Sequence, residues 1–415
     1  MFGALFGKEC KQILKSLVYY FYILVLALFL STQLKNPDWI EEIEGPKPNQ
    51  EHYGMKETHD KNVIMGHTLA SLTEEIGRES FSTYPYGFYK GVAPTKDELA
   101  TMKKIIESCT GKSWDRILEE QEKYYEQFDM TDMSSSIMAS ENYQVKPRED
   151  LTYADFQKNM ERVTKIIGKG SYYEKESYES GATVPMSYEE ALKEYETMRK
   201  HDRVTGAYMR LFCDYAGIML AFLPMFLGVT RCLRDQRAVA MQVIHAKSVS
   251  SAKIILSRYL ANVFMAFLPV VLIGFILQLP YCYYAHTLGF QPDYFAFLTY
   301  PIVWLLPEIM VVMSLAFLIT EMTDKIFVVF IQIFWMLAEE FTTVSLAGHF
   351  GMRLALRWNT IGATQDYLAQ RQDLYWNRSI YTVIAVLLIA FCVVIYEKKR
   401  KEGESLYAKI FKNRH

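Results

Sequence analysis

Residues 16 to 34 read SLVYYFYILVLALFLSTQL, with no charged side chain among them. About 20 mostly apolar residues in a row are what a helix needs to cross a bilayer. Five more stretches share this character. They run from about Leu211 to Val229, Ile255 to Leu279 and Tyr294 to Ile319, then from near Ile326, and finally from Ile380 to Tyr396. Pro301 and Pro307 are expected to kink or break the fourth. The fifth meets Glu339 and Glu340 early, so it is expected to be short or broken. Such a sequence is incompatible with a water-soluble globule. It predicts an all-α polytopic membrane protein of about six transmembrane helices. The first run is long for a signal-peptide core and no small-residue cleavage pattern follows it, so it reads as an uncleaved span.

Composition conceals this pattern. Over 415 residues the charged fraction is 22%, and mean hydropathy is close to zero. Both averages mix apolar blocks with one polar insert. The net charge of −2 gives no sign of nucleic-acid binding. The 29 Tyr and 25 Phe suit helix ends at headgroup level.

Basic residues orient the spans. Lys8, Lys11 and Lys15 precede the first. Arg231, Arg234, Arg237, Lys247 and Lys253 follow the second, and Lys398, Lys399, Arg400 and Lys401 follow the last. In a six-span arrangement all three groups face one side, which predicts a multi-pass cell-membrane protein with both termini cytoplasmic. Arg353, Arg357, Arg371 and Arg378 break the pattern, because they fall on the other side. The expected organisation is an amphipathic cytoplasmic helix over 1–15 and a first span over 16–34. An extracytoplasmic domain over 35–205 follows, then a five-helix bundle over 206–396 with a cytoplasmic segment at 231–254, and a basic tail over 397–415.

In the insert, acidic side chains outnumber basic ones. It is expected to be mainly helical, with an α+β fold as the alternative. Thr95 with Glu98, and Ser187 with Glu190, have capping-box spacing. Helices are expected over about 113–128 and 150–167, and loops over 46–65 and 130–147. Of the six cysteines only Cys109 lies in the insert, which therefore has no internal disulfide partner. Cys10, Cys213, Cys232, Cys282 and Cys392 read as small apolar fillers.

Catalytic and metal motifs are weak. Thr110-Gly111-Lys112-Ser113 ends like a phosphate loop, but Ile106 stands where the leading glycine belongs. His52, His59 and His67 lack a zinc spacing and read as solvated or capping residues. No catalytic residue or metal ligand is assigned, and the chain is not expected to be an enzyme. Ionisable residues inside spans are expensive and usually face a cavity or a partner. Asp214, Glu308, Glu339 and Glu340 are therefore the candidates for a translocation path or gate. Simple hydration near an interface is the plainer reading of Asp214 and Glu340.

The segment after the second run reads VTRCLRDQRAVAMQVIHAKSVSSAKIILSRYLANVF, Val229 to Phe264. It reads as a helix lying across the cytoplasmic face and tied to two spans. The plainer alternative is an ordinary basic loop. With Gly228-Val229-Thr230-Arg231, Arg234-Asp235 and Ser257-Arg258-Tyr259-Leu260-Ala261, and with the layout of the whole chain, it resembles the permease subunit of ABC transporters of the ABC-2 family. The resemblance implies a coupling helix, and places ATPase coupling on Arg234, Asp235, Arg237, Met241 and Ile244. It also implies a separate cytoplasmic ATP-binding cassette subunit that holds ATP and magnesium, and no cofactor bound by this chain. A second permease chain is implied too, as a homodimer or related heterodimer in the lipid bilayer. The outer domain would be free to meet an extracellular peptide or protein. Re-entrant helices before the last span, over 341–378, are implied as well, and would bury Glu339, Glu340 and the arginines of that stretch against each other. The large insert departs from compact family members. The competing reading is a non-transporting receptor or scaffold whose insert senses a ligand.

Overall fold

A computed structural model describes residues 2–34, 45–50, 52–85, 89–131, 133–238, 244, 246, 248–341, 351–358 and 361–402. They form two compact units. One, here the bundle, is drawn from Met1–Gly45, Leu192–Glu339 and Leu346–His415; the other, the insert, from Pro46–Ala191 and Glu340–Ser345.

The bundle begins with α1 (Phe2–Ile13) and α2 (Leu17–Gln33), which meet at a bend of 69°. Helices α10 (Thr205–Leu220) and α11 (Leu223–Arg237) form a second bent pair, at 42°. Then come α12 (Ser251–Thr287), α13 (Ala296–Thr323), α14 (Phe327–Phe341) and α15 (Thr364–Glu402). Among the described residues three helices, α12, α13 and α15, are long and apolar enough to cross a membrane alone. The number rises to five if each bent pair is one span. Helix α14 is apolar but has only 15 residues, about 22 Å at 1.5 Å per residue, against roughly 30 Å of hydrocarbon.

Helix α13 runs unbroken through Pro301 and Pro307, and α12 through Pro269 and Pro280. The expected break in the fourth span is absent because a membrane helix can lose a backbone bond to proline when neighbouring protein packs around it. The last helix differs from expectation as well. Residues 364–378, read as part of a re-entrant segment, continue directly into the final span. Their polar side chains hide the helix from hydropathy.

The bundle's core includes Tyr22, Leu26 and Leu30 of α2, Phe212 and Ala216 of α10, Ala266 and Val270 of α12, and Ile309, Met313 and Phe317 of α13. Tyr22 donates to the Ala266 carbonyl at 2.7 Å, tying α2 to α12. At the α10–α11 break, the Ala221 carbonyl accepts from Gln332 of α14 at 2.6 Å. Outward faces are strongly apolar. Leu17, Phe21, Leu24 and Leu28 are exposed on α2, Leu272, Phe275 and Ile276 on α12, and Val383, Leu387 and Phe391 on α15. Water does not tolerate an apolar surface of that extent on a soluble protein, so this surface meets lipid.

The insert is mostly helical. Its elements are β1 (Met55–Glu57), α3 (Lys61–Arg78), β2 (Phe81–Thr83), β3 (Lys90–Val92), α4 (Lys96–Thr110), α5 (Trp114–Tyr125), α6 (Met133–Asn142), α7 (Tyr153–Ile167), α8 (Lys175–Ser180) and β4 (Thr183–Pro185), with α9 (Tyr188–Thr197) at its end. Strand β1 pairs antiparallel with β4, and β2 with β3. On α7, Phe156, Met160, Val163 and Ile167 recur at helical spacing and are buried. They pack with Leu69 and Leu72 of α3 and Met102 and Ile106 of α4. Both capping boxes form, at Thr95 with Glu98 and at Ser187 with Glu190. Helix α3 starts inside one expected loop and α6 inside the other. Gly111, from the run that resembled a phosphate loop, ends α4 in the left-handed region at φ 70°, where glycine carries no side-chain penalty.

Candidate functional site: a buried polar layer in the bundle

Residues 351–358 have neither helix nor strand. Irregular backbone at membrane depth is tolerated only where protein groups satisfy it. Here three helices supply those groups. Glu339 of α14 accepts from the Leu354 amide at 2.9 and 3.0 Å and from the Ala355 amide at 3.2 Å. Trp335 Nε1, one turn earlier on α14, donates to the same carboxylate at 2.7 Å. Asp214 of α10 accepts from the Trp358 amide at 2.9 Å. From α15, Arg378 donates to the Leu354 carbonyl at 2.8 Å and the Tyr381 hydroxyl to the Met352 carbonyl at 3.0 Å. Asn377 donates to the carbonyls of Gly351 and Arg353, each at 2.9 Å.

Two ion pairs lie in this layer. Arg357 meets Asp214 at 2.5 Å, and Arg378 meets Glu308 of α13 at 3.2 Å. Glu308 and Asp214 are fully buried. Buried charges offset their lost hydration only when geometry is good and the remaining polar atoms are bonded. Asp214 meets that condition with both oxygens. Glu308 does not, since its Oε1 has no hydrogen-bond partner among the described residues. Gly217 of α10 leaves room beside it, since a Cβ there would lie 3.4 Å from Glu308 Oε2.

A second buried pair closes the start of α15. Arg210 of α10 meets Asp202 at 2.5 Å and stacks over the Tyr367 ring at 4.4 Å. Thr364 donates its hydroxyl to Asp202 at 2.7 Å and its amide to Glu194 at 2.5 Å. Two carboxylates at a helix N-terminus complement its dipole. A cavity of about 230 Å³ opens beside Tyr300, Trp304, Tyr367 and Arg371.

A third cluster joins α1, α11 and α12. Arg231 grips Glu9 with two bonds, at 2.5 and 2.7 Å, and reaches Asp235 at 3.3 Å. Arg258 of α12 binds Asp235 and stands 3.9 Å from Glu9. All four residues are buried. Lys399 of α15 pairs with Glu321 at 3.3 Å and also with Asp324.

The structure thus brings Asp214, Glu308 and Glu339 into one layer. The side chain of Glu340 lies outside the described residues, as does Met241. Asp235 is buried in the third cluster, whereas Arg234 and Arg237 are exposed and Ile244 packs partly buried against the bundle core. Sequence reasoning expected the arginines before the last span to be buried against Glu339 and Glu340; the structure pairs Arg357 with Asp214 and Arg378 with Glu308. It missed Arg210 as a site residue, and Glu9 and Arg258 as partners of the segment after α11. Arg357 and Arg378 belong to the basic group that violated the orientation pattern, and pairing with buried carboxylates accounts for their position. Among the described residues no group of three or more His, Cys, Asp or Glu side chains is placed to hold a metal ion.

Chemically, the layer holds charge and irregular backbone away from lipid, with each helix supplying what another lacks. Comparison with family models, curated proteins and solved structures finds no match to the chain. In coarse terms the chain is a membrane-embedded helical protein, an architecture consistent with transport or reception.

Proposed function

We propose that the chain is the permease subunit of an ATP-driven transporter of the ABC-2 type, working as an exporter with a separate cytoplasmic ATPase. Six membrane-crossing segments, cytoplasmic termini and an extracytoplasmic insert belong to this reading. So does pairing with a second permease chain.

One observation carries the proposal. Near the end of α11, Asp235 is locked to α1 and α12 through Arg231, Glu9 and Arg258, while Arg234 and Arg237 beside it stay exposed. A short helical stretch that is fixed on one face and cationic on the other suits a lever. Push from a soluble partner on the exposed face passes into two other helices through these ion pairs. In this reading Asp235 transmits, Arg234 and Arg237 dock, and the Glu308–Arg378 pair belongs to the gate. A partner shifts such an equilibrium only by binding the two states unequally.

The test is co-purification of the chain with ATPases from its own host, for the wild type and for Arg234→Ala/Arg237→Ala. The expected result is a cassette ATPase recovered with the wild type and lost with the variant, at unchanged thermal stability. Absence of any ATPase after mild extraction of the wild type would overturn the proposal and favour a receptor or scaffold.

A further inference from the structure

The bend between α1 and α2 encloses a cavity of about 270 Å³, lined by Gln12, Ile13, Lys15, Leu227, Arg234 and Asn262 among others. Three helices change character at this level. On α2 the apolar run begins at Leu17, just after Lys15 and Ser16. On α12 Asn262 is the last polar residue before the apolar run from Val263 to Leu277. On α11 Leu227 gives way to Thr230 and Arg231 within one turn. A cavity at such a boundary lies at headgroup depth, whichever leaflet it faces.

Its polar groups are not used up by the protein. Arg231 is neutralised by Glu9 and Asp235. Lys15 and Arg234 are exposed and make no ion pair among the described residues. Asn262 is only 1% exposed. Its Nδ2 donates to the Arg258 carbonyl at 2.8 Å, but its Oδ1 has no hydrogen-bond partner among the described residues. A buried acceptor left unpaired costs free energy, so the site favours a ligand that brings a donor.

We propose that this cavity binds the headgroup of an anionic phospholipid. Lys15 and Arg234 take the phosphate, a headgroup hydroxyl donates to Asn262 Oδ1, and Ile13 and Leu227 lie against the first carbons of the acyl chains. Two cations meeting one phosphate select an anionic lipid over a zwitterionic one, whose own ammonium already neutralises the phosphate. Basic pockets between membrane helices recognise anionic headgroups in this way. The apolar wall favours a lipid over a free anion.

The experiment uses the full chain in detergent, without any ATPase, so its result is independent of the permease reading. Affinities for phosphatidylglycerol, phosphatidylcholine, phosphatidylmethanol and inorganic phosphate are read by native mass spectrometry. Phosphatidylglycerol is expected to bind most tightly. Lys15→Gln and Arg234→Gln are each expected to weaken it about fivefold, and the double variant roughly 25-fold. Asn262→Leu is expected to erase the preference for phosphatidylglycerol over phosphatidylmethanol, which has no headgroup donor. Lys15 and Arg234 are exposed, so their variants decide the matter even if Asn262→Leu does not fold. Equal affinity for phosphatidylcholine and phosphatidylglycerol in the wild type overturns the proposal. So does an unchanged affinity in the folded double variant, or displacement of phosphatidylglycerol by an equal concentration of inorganic phosphate.

Discussion

The insert and the bundle handle charge in opposite ways. In the insert the ion pairs sit in water. Lys112 with Glu120, Arg148 with Asp150 and Lys175 with Glu179 all keep a third or more of each side chain exposed. Its core is apolar, built from side chains such as Phe156, Met160 and Leu69. In the bundle, Arg210 with Asp202 and Arg378 with Glu308 are at most 3% exposed. The difference follows from the solvent. Water drives apolar side chains together and leaves surface pairs worth little. Lipid gives no such drive between helices, so polar contacts and close packing decide which helix meets which. The insert is held by what water rejects, and the bundle is specified by what lipid rejects.

The comparison breaks first at Arg378. Arg378→Met leaves the Glu308 carboxyl buried without its partner, and frees the Leu354 carbonyl. The expected cost is about 3–5 kcal/mol, read as a lower apparent Tm in detergent. Adding Glu308→Met is expected to restore the part of that loss that comes from the unpaired carboxyl, and to leave the part that comes from the freed Leu354 carbonyl. If the double variant is as unstable as the single one, the pair does not act as a unit.

A smaller effect tests the insert through pH. Burial holds His67 below the ordinary histidine pKa, and its Nε2 lies 3.1 Å from the Gln144 amide nitrogen. The unfolded chain therefore takes up the proton first as pH falls. The stability tied to neutral His67 is fully present above the unfolded pKa and is lost as pH drops through the folded one. His67→Gln is expected to flatten the acid side of the insert's unfolding profile and to leave the alkaline side unchanged.

The smallest effect sharpens the contrast. Lys112→Ala removes a surface pair with Glu120, and the expected change is about 0.5 kcal/mol or less. Added salt should reduce it further, because exposed pairs are screened. A loss comparable to that of Arg378→Met would erase the distinction between the two regions.

How much of this was legible depended on whether a residue looked out of place. Asp214, Glu308 and Glu339 stood out because a carboxylate in an apolar run is an anomaly, and the fold gathers all three. The arginines before the last span were expected to be buried against Glu339 and Glu340, but the individual pairings, Arg357 with Asp214 and Arg378 with Glu308, were not legible. Arg378 lies just before the block that opens at Ile380, where a cation looks like an ordinary flank. Arg357 follows Leu354, Ala355 and Leu356 and precedes Trp358, in an apolar run too short to read as a span. Glu9 was hidden for another reason. One acid among Lys8, Lys11 and Lys15 reads as surface, and only the three-dimensional approach of Arg231 makes it internal. In the insert the capping boxes were legible because they are local. Helix α6 and the start of α3 were not, because Met133–Asn142 has weak amphipathic patterning and Asp60, which caps α3 by accepting from the Asn62 amide, sat within a stretch of turn-forming residues.

The pinned stretch at 351–358 also fixes an order of events. Its amides and carbonyls are satisfied by Asp214 and Glu339, made earlier on the ribosome, and by Asn377, Arg378 and Tyr381, made later. Until the last helix is synthesised, the carbonyls of Gly351, Met352, Arg353 and Leu354 lack these partners. The final helix is thus more than one further membrane anchor. Its arrival completes the hydrogen bonding of residues 351–358.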